Sequence, residues 1–166
     1  MKYILTALLF LLAAIVQSSV LPYFPLFGVY PNVVLILAVC WTIIRGEDEA
    51  MIVIPIAGVS LSLVDSAPFG VALLAMTPVL LLSALRAIRL TQSDVLLAVL
   101  LVFVGSLLYE MVFLVALRLL GESVDWWHGF LNAVVPSAIV NALFTPVAYW
   151  FVWMRSSKLR RARAYA

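Results

Sequence analysis

Long apolar runs separated by short polar or turn-forming stretches dominate the chain, and their lengths set the first reading. A helix that crosses a bilayer needs about 20 mostly apolar residues, with a range of roughly 17 to 25. The run 4–21, from Ile4 to Leu21, meets this and ends at Pro22. Lys2 ahead of it resembles the start of a secretory signal, but no small-x-small cleavage site follows, so a retained first helix is expected. After the aromatic loop Pro22 to Gly28 comes a second run, 29–44, with Pro31 near its start, where a missing amide donor is tolerated. Arg45-Gly46-Glu47-Asp48-Glu49 ends it. Between Ala50 and Leu85 the single charge is Asp65, inside the turn-like Asp65-Ser66-Ala67-Pro68-Phe69-Gly70. That turn divides the stretch into helices at 50–64 and 70–85. Both are short, so they read either as two brief spans or as a re-entrant hairpin, and either way the two ends lie on one side. Arg86 and Arg89 mark the next boundary. Thr91, Ser93 and Asp94 then open a fifth run, 95–120. A polar, aromatic loop from Gly121 to His128 leads to a sixth, 130–154, followed by the basic tail 155–166. The pattern predicts an all-α integral membrane protein of about six transmembrane helices in a single polytopic domain, 1–154.

Charge placement turns this pattern into a topology. With six spans, nine of the ten Lys and Arg residues fall at one end: Lys2, Arg45, Arg86, Arg89, Arg155, Lys158, Arg160, Arg161 and Arg163. Arg118 stands alone at the other. The positive-inside rule then predicts that both termini face the cytoplasm. Aromatic residues predict the two interfacial belts, with Tyr23, Phe24, Phe27, Tyr30, Trp126 and Trp127 outside and Tyr3, Trp41, Trp150 and Trp153 inside. The five tail cations could also hold anionic lipid, at about 1 kcal/mol for each near the surface, or meet an acidic cytoplasmic partner.

Composition narrows the function classes. Of the 166 residues, 66% are hydrophobic and 11% charged, and the mean hydropathy is +1.20. A soluble globular domain cannot hide that much apolar surface. The net charge of +2 is too small to suggest nucleic acid as a partner. One cysteine, Cys40, excludes an intrachain disulfide, and with the single His128 it leaves little from which to build a soft metal site. The chain contains no nucleophile elbow, P-loop or paired-histidine zinc motif, so neither an enzyme nor a cofactor is expected.

One acid departs from the apolar pattern. Glu110 lies about 15 residues into the fifth run, roughly 22 Å along the helix. A carboxylate facing lipid at that depth is costly, so Glu110 is expected to face the protein interior and be paired, hydrogen-bonded or neutral. Gly105, Ser106 and Tyr109 share its neighbourhood. It could serve as a proton or ion site, a ligand contact or a partner contact, or simply as a satisfied packing carboxyl. Gln17, Asn132 and Asn141 are further candidates for intramembrane polar contacts, each worth about 0.5–2 kcal/mol. Gly58 and Ser62 form a small-x-x-x-small pair suited to close packing. With Asp65 and Gly70 of the following turn, they are candidates for partner contact or internal helix packing.

Several of these residues fall into ordered motifs: Gln17-Ser18-Ser19-Val20-Leu21-Pro22, Pro31-Asn32-Val33-Val34-Leu35, Gly58-x-x-x-Ser62-Leu63-Val64-Asp65 followed by Gly70, and Asn141-Ala142-Leu143-Phe144-Thr145-Pro146 ahead of a basic end. In their order, spacing and coverage of nearly the whole chain they resemble the bacterial rod-shape-determining membrane protein family MreD. The chain departs from that family at Ser62, where Gly is expected, and at Asn32, where an acid is frequent. The resemblance implies a non-enzymatic inner-membrane subunit of the machinery that builds the lateral cell wall. Its direct partner would be an MreC-like single-span protein. Through that protein it would meet the actin-like MreB, the glycosyltransferase RodA and a class B penicillin-binding protein, with a homo-oligomer left open. The family's fold is also similar to the substrate-binding components of energy-coupling-factor vitamin transporters, which makes small-molecule transport the competing expectation. No Ala-x-x-x-Ala docking pattern of the kind known in those components occurs between Ile4 and Leu21.

Overall fold

A computed structural model describes residues 2–26, 28–83, 93–123 and 125–164. Among them the chain forms six helices and no sheet beyond one isolated bridge between Leu26 and Val29. They are α1 (Lys2–Ser19), α2 (Val33–Arg45), α3 (Glu47–Val64), α4 (Val71–Ser83), α5 (Asp94–Leu119) and α6. The last starts as Trp126–Gly129, widens into a π-helical turn at Phe130–Val134 and continues as Val135–Ala164.

Most boundaries follow from local chemistry, and several differ from the pattern-based expectation. Helix α2 starts at Val33 rather than Val29. Pro31 biases the residue before it towards extended backbone, and the Asn32 side chain then caps the helix by accepting from the Leu35 amide at 3.0 Å. The acidic run Glu47-Asp48-Glu49 belongs to the first turn of α3, which starts three residues before the expected 50–64. Carboxylates are favourable at that positive end, and Gly46, with φ +106°, makes the tight turn out of α2. Ser93 caps α5 through the Leu96 amide.

At the start of α6, Asp125 accepts from the Trp127 and His128 amides, each at 3.2 Å, which begins the helix before residue 130. The His128 amide, foremost among its contacts, holds the Asp125 carboxyl below the usual carboxylate range. At the other end α6 runs on through the basic segment to Ala164, since Lys, Leu, Arg and Ala are strong helix formers and cations suit a helix C-terminus. The side chains of Lys2, Arg155, Lys158, Arg160, Arg161 and Arg163 lie outside the described set, as do Phe27, Arg86 and Arg89.

Helix α2 is the centre of the bundle. Nine of its thirteen residues are buried, the mark of a helix enclosed on all sides. It packs against α1, α3, α5 and α6, while α3 packs on α4, α4 on α5, and α5 on α6. Trp41 belongs to this core rather than to an interfacial belt. Its ring meets Phe10 edge-on at 6.4 Å, its indole N–H donates to Glu49 Oε2 at 2.9 Å, and the Arg45 guanidinium lies 5.3 Å from the ring centroid.

Among the described residues, three helical stretches are long and apolar enough to cross a membrane: Tyr3–Tyr23, Asp94–Leu119 and Trp126–Met154. By contrast α2, at 13 residues, is only about 20 Å long at 1.5 Å per residue, and the described part of α4 also has 13 residues. The exterior is apolar along much of its length. Ile4, Leu5, Leu8 and Leu12 of α1 and Leu143, Val147 and Phe151 of α6 are all exposed, a surface that requires lipid or protein cover.

Candidate functional site

A helix leaves its first amide donors without partners inside the helix. At the start of α2 these donors are buried among the other helices, where unpaired they would be costly. Three side chains meet that need. Asn141 of α6 accepts from the Asn32 amide through Oδ1 at 2.7 Å, Gln17 of α1 accepts from the Val34 amide through Oε1 at 3.1 Å, and Asn32 serves Leu35. The amide of Val33 reaches the Pro31 carbonyl at 3.1 Å. Asn141 also donates from Nδ2 to Ser106 Oγ of α5 at 2.9 Å, and Thr145 Oγ1 donates to the Asn141 carbonyl at 2.8 Å. One seam therefore joins α1, α2, α5 and α6. Every fully enclosed side-chain nitrogen or oxygen among the described residues has a partner.

Glu110 lies close to this seam. It is half-buried, and Ser137 of α6 donates its hydroxyl to Glu110 Oε1 at 3.1 Å. Beside it the molecule holds a cavity of about 270 Å³. The wall comes from five regions of the chain: the end of α1 with Gln17, the loop before α2 with Tyr30, the end of α3 with Asp65, and the facing parts of α5 and α6. A second cavity of about 220 Å³ shares Gln17, Tyr30, Leu61 and Asp65 with the first. The Tyr109 and Phe113 rings stack 5.9 Å apart in the wall on the α5 side.

The other candidate residues separate. Gly58 and Ser62 face α4 inside the monomer. A Cβ built on Gly58 would come within 2.9 Å of the Leu73 backbone, and Ser62 Oγ accepts from the Leu73 amide at 3.1 Å. Asp65 is exposed at the end of α3 and accepts from the Ala67 amide at 3.3 Å. Gly70, with φ +96°, turns the chain into α4. Asn132 is exposed on the π turn. Cys40 is buried with its sulfur 4.0 Å from the Thr145 carbonyl oxygen, whereas His128 is exposed beside Asp125. Pattern reading passed over Ser137 and the role of Tyr30 as a wall residue. The interval from Ser137 to Asn141 is one helical turn, which offered a signal for the first; no local signal marked the second.

Comparison with models of protein families, with curated proteins and with solved structures returned no match in any of the three.

Proposed function

We propose that the chain is a multi-pass protein of the bacterial inner membrane with both termini cytoplasmic, and that it acts as a non-enzymatic scaffold in the lateral wall-building machinery. An MreC-like single-span protein would be its direct partner, with MreB, RodA and a class B penicillin-binding protein reached through the complex. One observation supports this reading above others. Gln17 and Asn141, which lie in two separate motifs of the MreD resemblance, meet at a single joint, the buried start of α2, where they join Asn32, a position at which the chain departs from that family. Residues used this way maintain an arrangement of helices, which is what a scaffold must present. The apolar exterior agrees with lipid and helix contacts, and in lipid such contacts depend on close packing and interhelical hydrogen bonds.

Two measurements test the proposal separately. For topology, single cysteines at Asp48, Ser66 and Ser123 are treated with a membrane-impermeant thiol reagent in intact spheroplasts. Labelling is expected at Ser66 and Ser123, with protection at Asp48; external labelling at Asp48 would overturn the orientation. For function, the full chain purified from gently solubilised membranes is expected to recover an MreC-like protein. Absence of that protein, together with stable recovery of a vitamin or a transporter's energising module, would defeat the scaffold assignment.

A further inference from the structure

The 270 Å³ cavity beside Glu110 has a definite chemical character. Two carboxylates, Asp65 and Glu110, belong to its wall, together with the rings of Tyr30, Tyr109 and Phe113, and no Lys, Arg or His is among its lining residues. Ser137 occupies Glu110 Oε1, and among the described residues Oε2 has no hydrogen-bond donor. Two carboxylates and three aromatic residues around one space favour a positively charged organic group, which can gain from charge pairing and cation–π attraction together.

Size and ligand number choose among cations. At about 30 Å³ per water molecule in the liquid, the space suits about nine non-hydrogen atoms, far more than a bare metal ion fills. A hard divalent ion also takes about six to eight oxygens, and the described residues contain no group of three or more side chains placed to hold a metal. We propose that this cavity binds a small primary or quaternary ammonium group on a short aliphatic arm, held between Glu110 and Asp65 and packed against Tyr30, Tyr109 and Phe113. The group could arrive on a free amine or on a lipid headgroup. Tyr30 is well placed to respond to its arrival. It lies in the short loop before α2 and also lines the adjoining 220 Å³ cavity, so an occupant would tie that loop to the end of α3 and to the interior of α5. The inference does not depend on the scaffold proposal.

The test uses the full chain in uncharged maltoside micelles, with thermal unfolding followed during titration by choline and ethanolamine. Its control is 3,3-dimethylbutan-1-ol, a neutral isostere of choline. Both ammonium probes are expected to raise the unfolding midpoint saturably, as a ligand of the folded state must, while the neutral alcohol does not. Glu110→Gln, which keeps an acceptor for Ser137, and Asp65→Asn, at an exposed position, are each expected to weaken choline binding by about tenfold or more, equivalent to about 1.4 kcal/mol. Tyr30→Leu is expected to weaken choline more than ethanolamine, because the quaternary group relies more on the ring face.

A second arm adds phosphatidylethanolamine to the micelles. If the lipid raises the midpoint and blocks the choline response, the headgroup is the source; if choline acts equally with and without it, a free amine is. Equal stabilisation by the neutral alcohol would overturn the proposal. So would unchanged choline binding in both carboxylate variants, or no response to any ammonium compound in either arm.

Discussion

Gly58→Ala is expected to destabilise the bundle by about 1–3 kcal/mol, the usual cost of forcing extra volume into a packed interior, and Gly58→Leu is expected to prevent normal pairing of α3 with α4. A single added carbon at position 58 would come within 2.9 Å of Leu73 Cα and of Leu73 Cδ1, with Met76 Cβ at 3.4 Å. The leucine side chain could rotate away, but backbone cannot yield without separating the helices. That separation would also break the 3.1 Å hydrogen bond from the Leu73 amide to Ser62 Oγ.

Gly105→Ala provides the contrast. Its added carbon would find Leu82 Cδ1 and Val79 Cγ2 at 3.8 Å, ordinary contact, and alanine is favoured over glycine within a helix by up to about 1 kcal/mol. Gly105→Ala is therefore expected to be neutral or stabilising, opposite in sign to Gly58→Ala. Thermal unfolding of the purified variants in one detergent checks both. If Gly58→Ala unfolds no earlier than the unsubstituted chain, the close approach of α3 and α4 is wrong. Because the position is internal, loss of a partner from Gly58→Leu would report a damaged hairpin rather than a lost docking surface.

The small-x-x-x-small pair illustrates where sequence reading stops. Its spacing implies close packing but is the same whether the neighbour is another helix of the chain or a separate protein. The number of helices was legible because apolar run length, turn residues and Asp65 are local signals. The start of α2 was not. Pro31 and the Asn32 cap are local signals that the run of apolar residues masked, and the acceptor that lets this start be buried, Asn141, approaches from a helix more than 100 positions away. The charged run Arg45 to Glu49 marked the end of the second segment and left the acids outside a helix at 50–64, whereas the backbone places Glu47 to Glu49 in the first turn of α3. Glu110 and Asp65 each stood out as acids in apolar surroundings, but their shared cavity brings five regions of the chain together. Trp41 was assigned by its place near a helix end, and the central position of α2 put it in the core.

Asn141→Leu is expected to loosen the start of α2, whereas Asn132→Leu is expected to leave it intact. The sequence offers both asparagines for intramembrane hydrogen bonding, yet the fold treats them differently. Asn141 is 1% exposed and uses both ends of its amide, one for the Asn32 amide and the other for Ser106. A leucine of similar volume keeps much of the packing and removes both bonds. Ser106 loses one donor to its hydroxyl oxygen and keeps its own O–H free to turn, but the Asn32 N–H is fixed by backbone and would be left bare, at a cost of about 1–3 kcal/mol. Gln17 supports the same few residues through Val34. Gln17→Leu and Asn141→Leu should consequently be non-additive, with a coupling of about 0.5–3 kcal/mol of the kind seen between members of one hydrogen-bond network. Asn132 is exposed on the π turn, so its replacement by leucine removes no buried bond. Hydrogen exchange on the purified full chain gives the decisive measurement: Asn141→Leu should accelerate exchange across residues 32–35 relative to the unsubstituted chain and to Asn132→Leu. Equal exchange in the two variants would show that Asn141 does not hold this helix start.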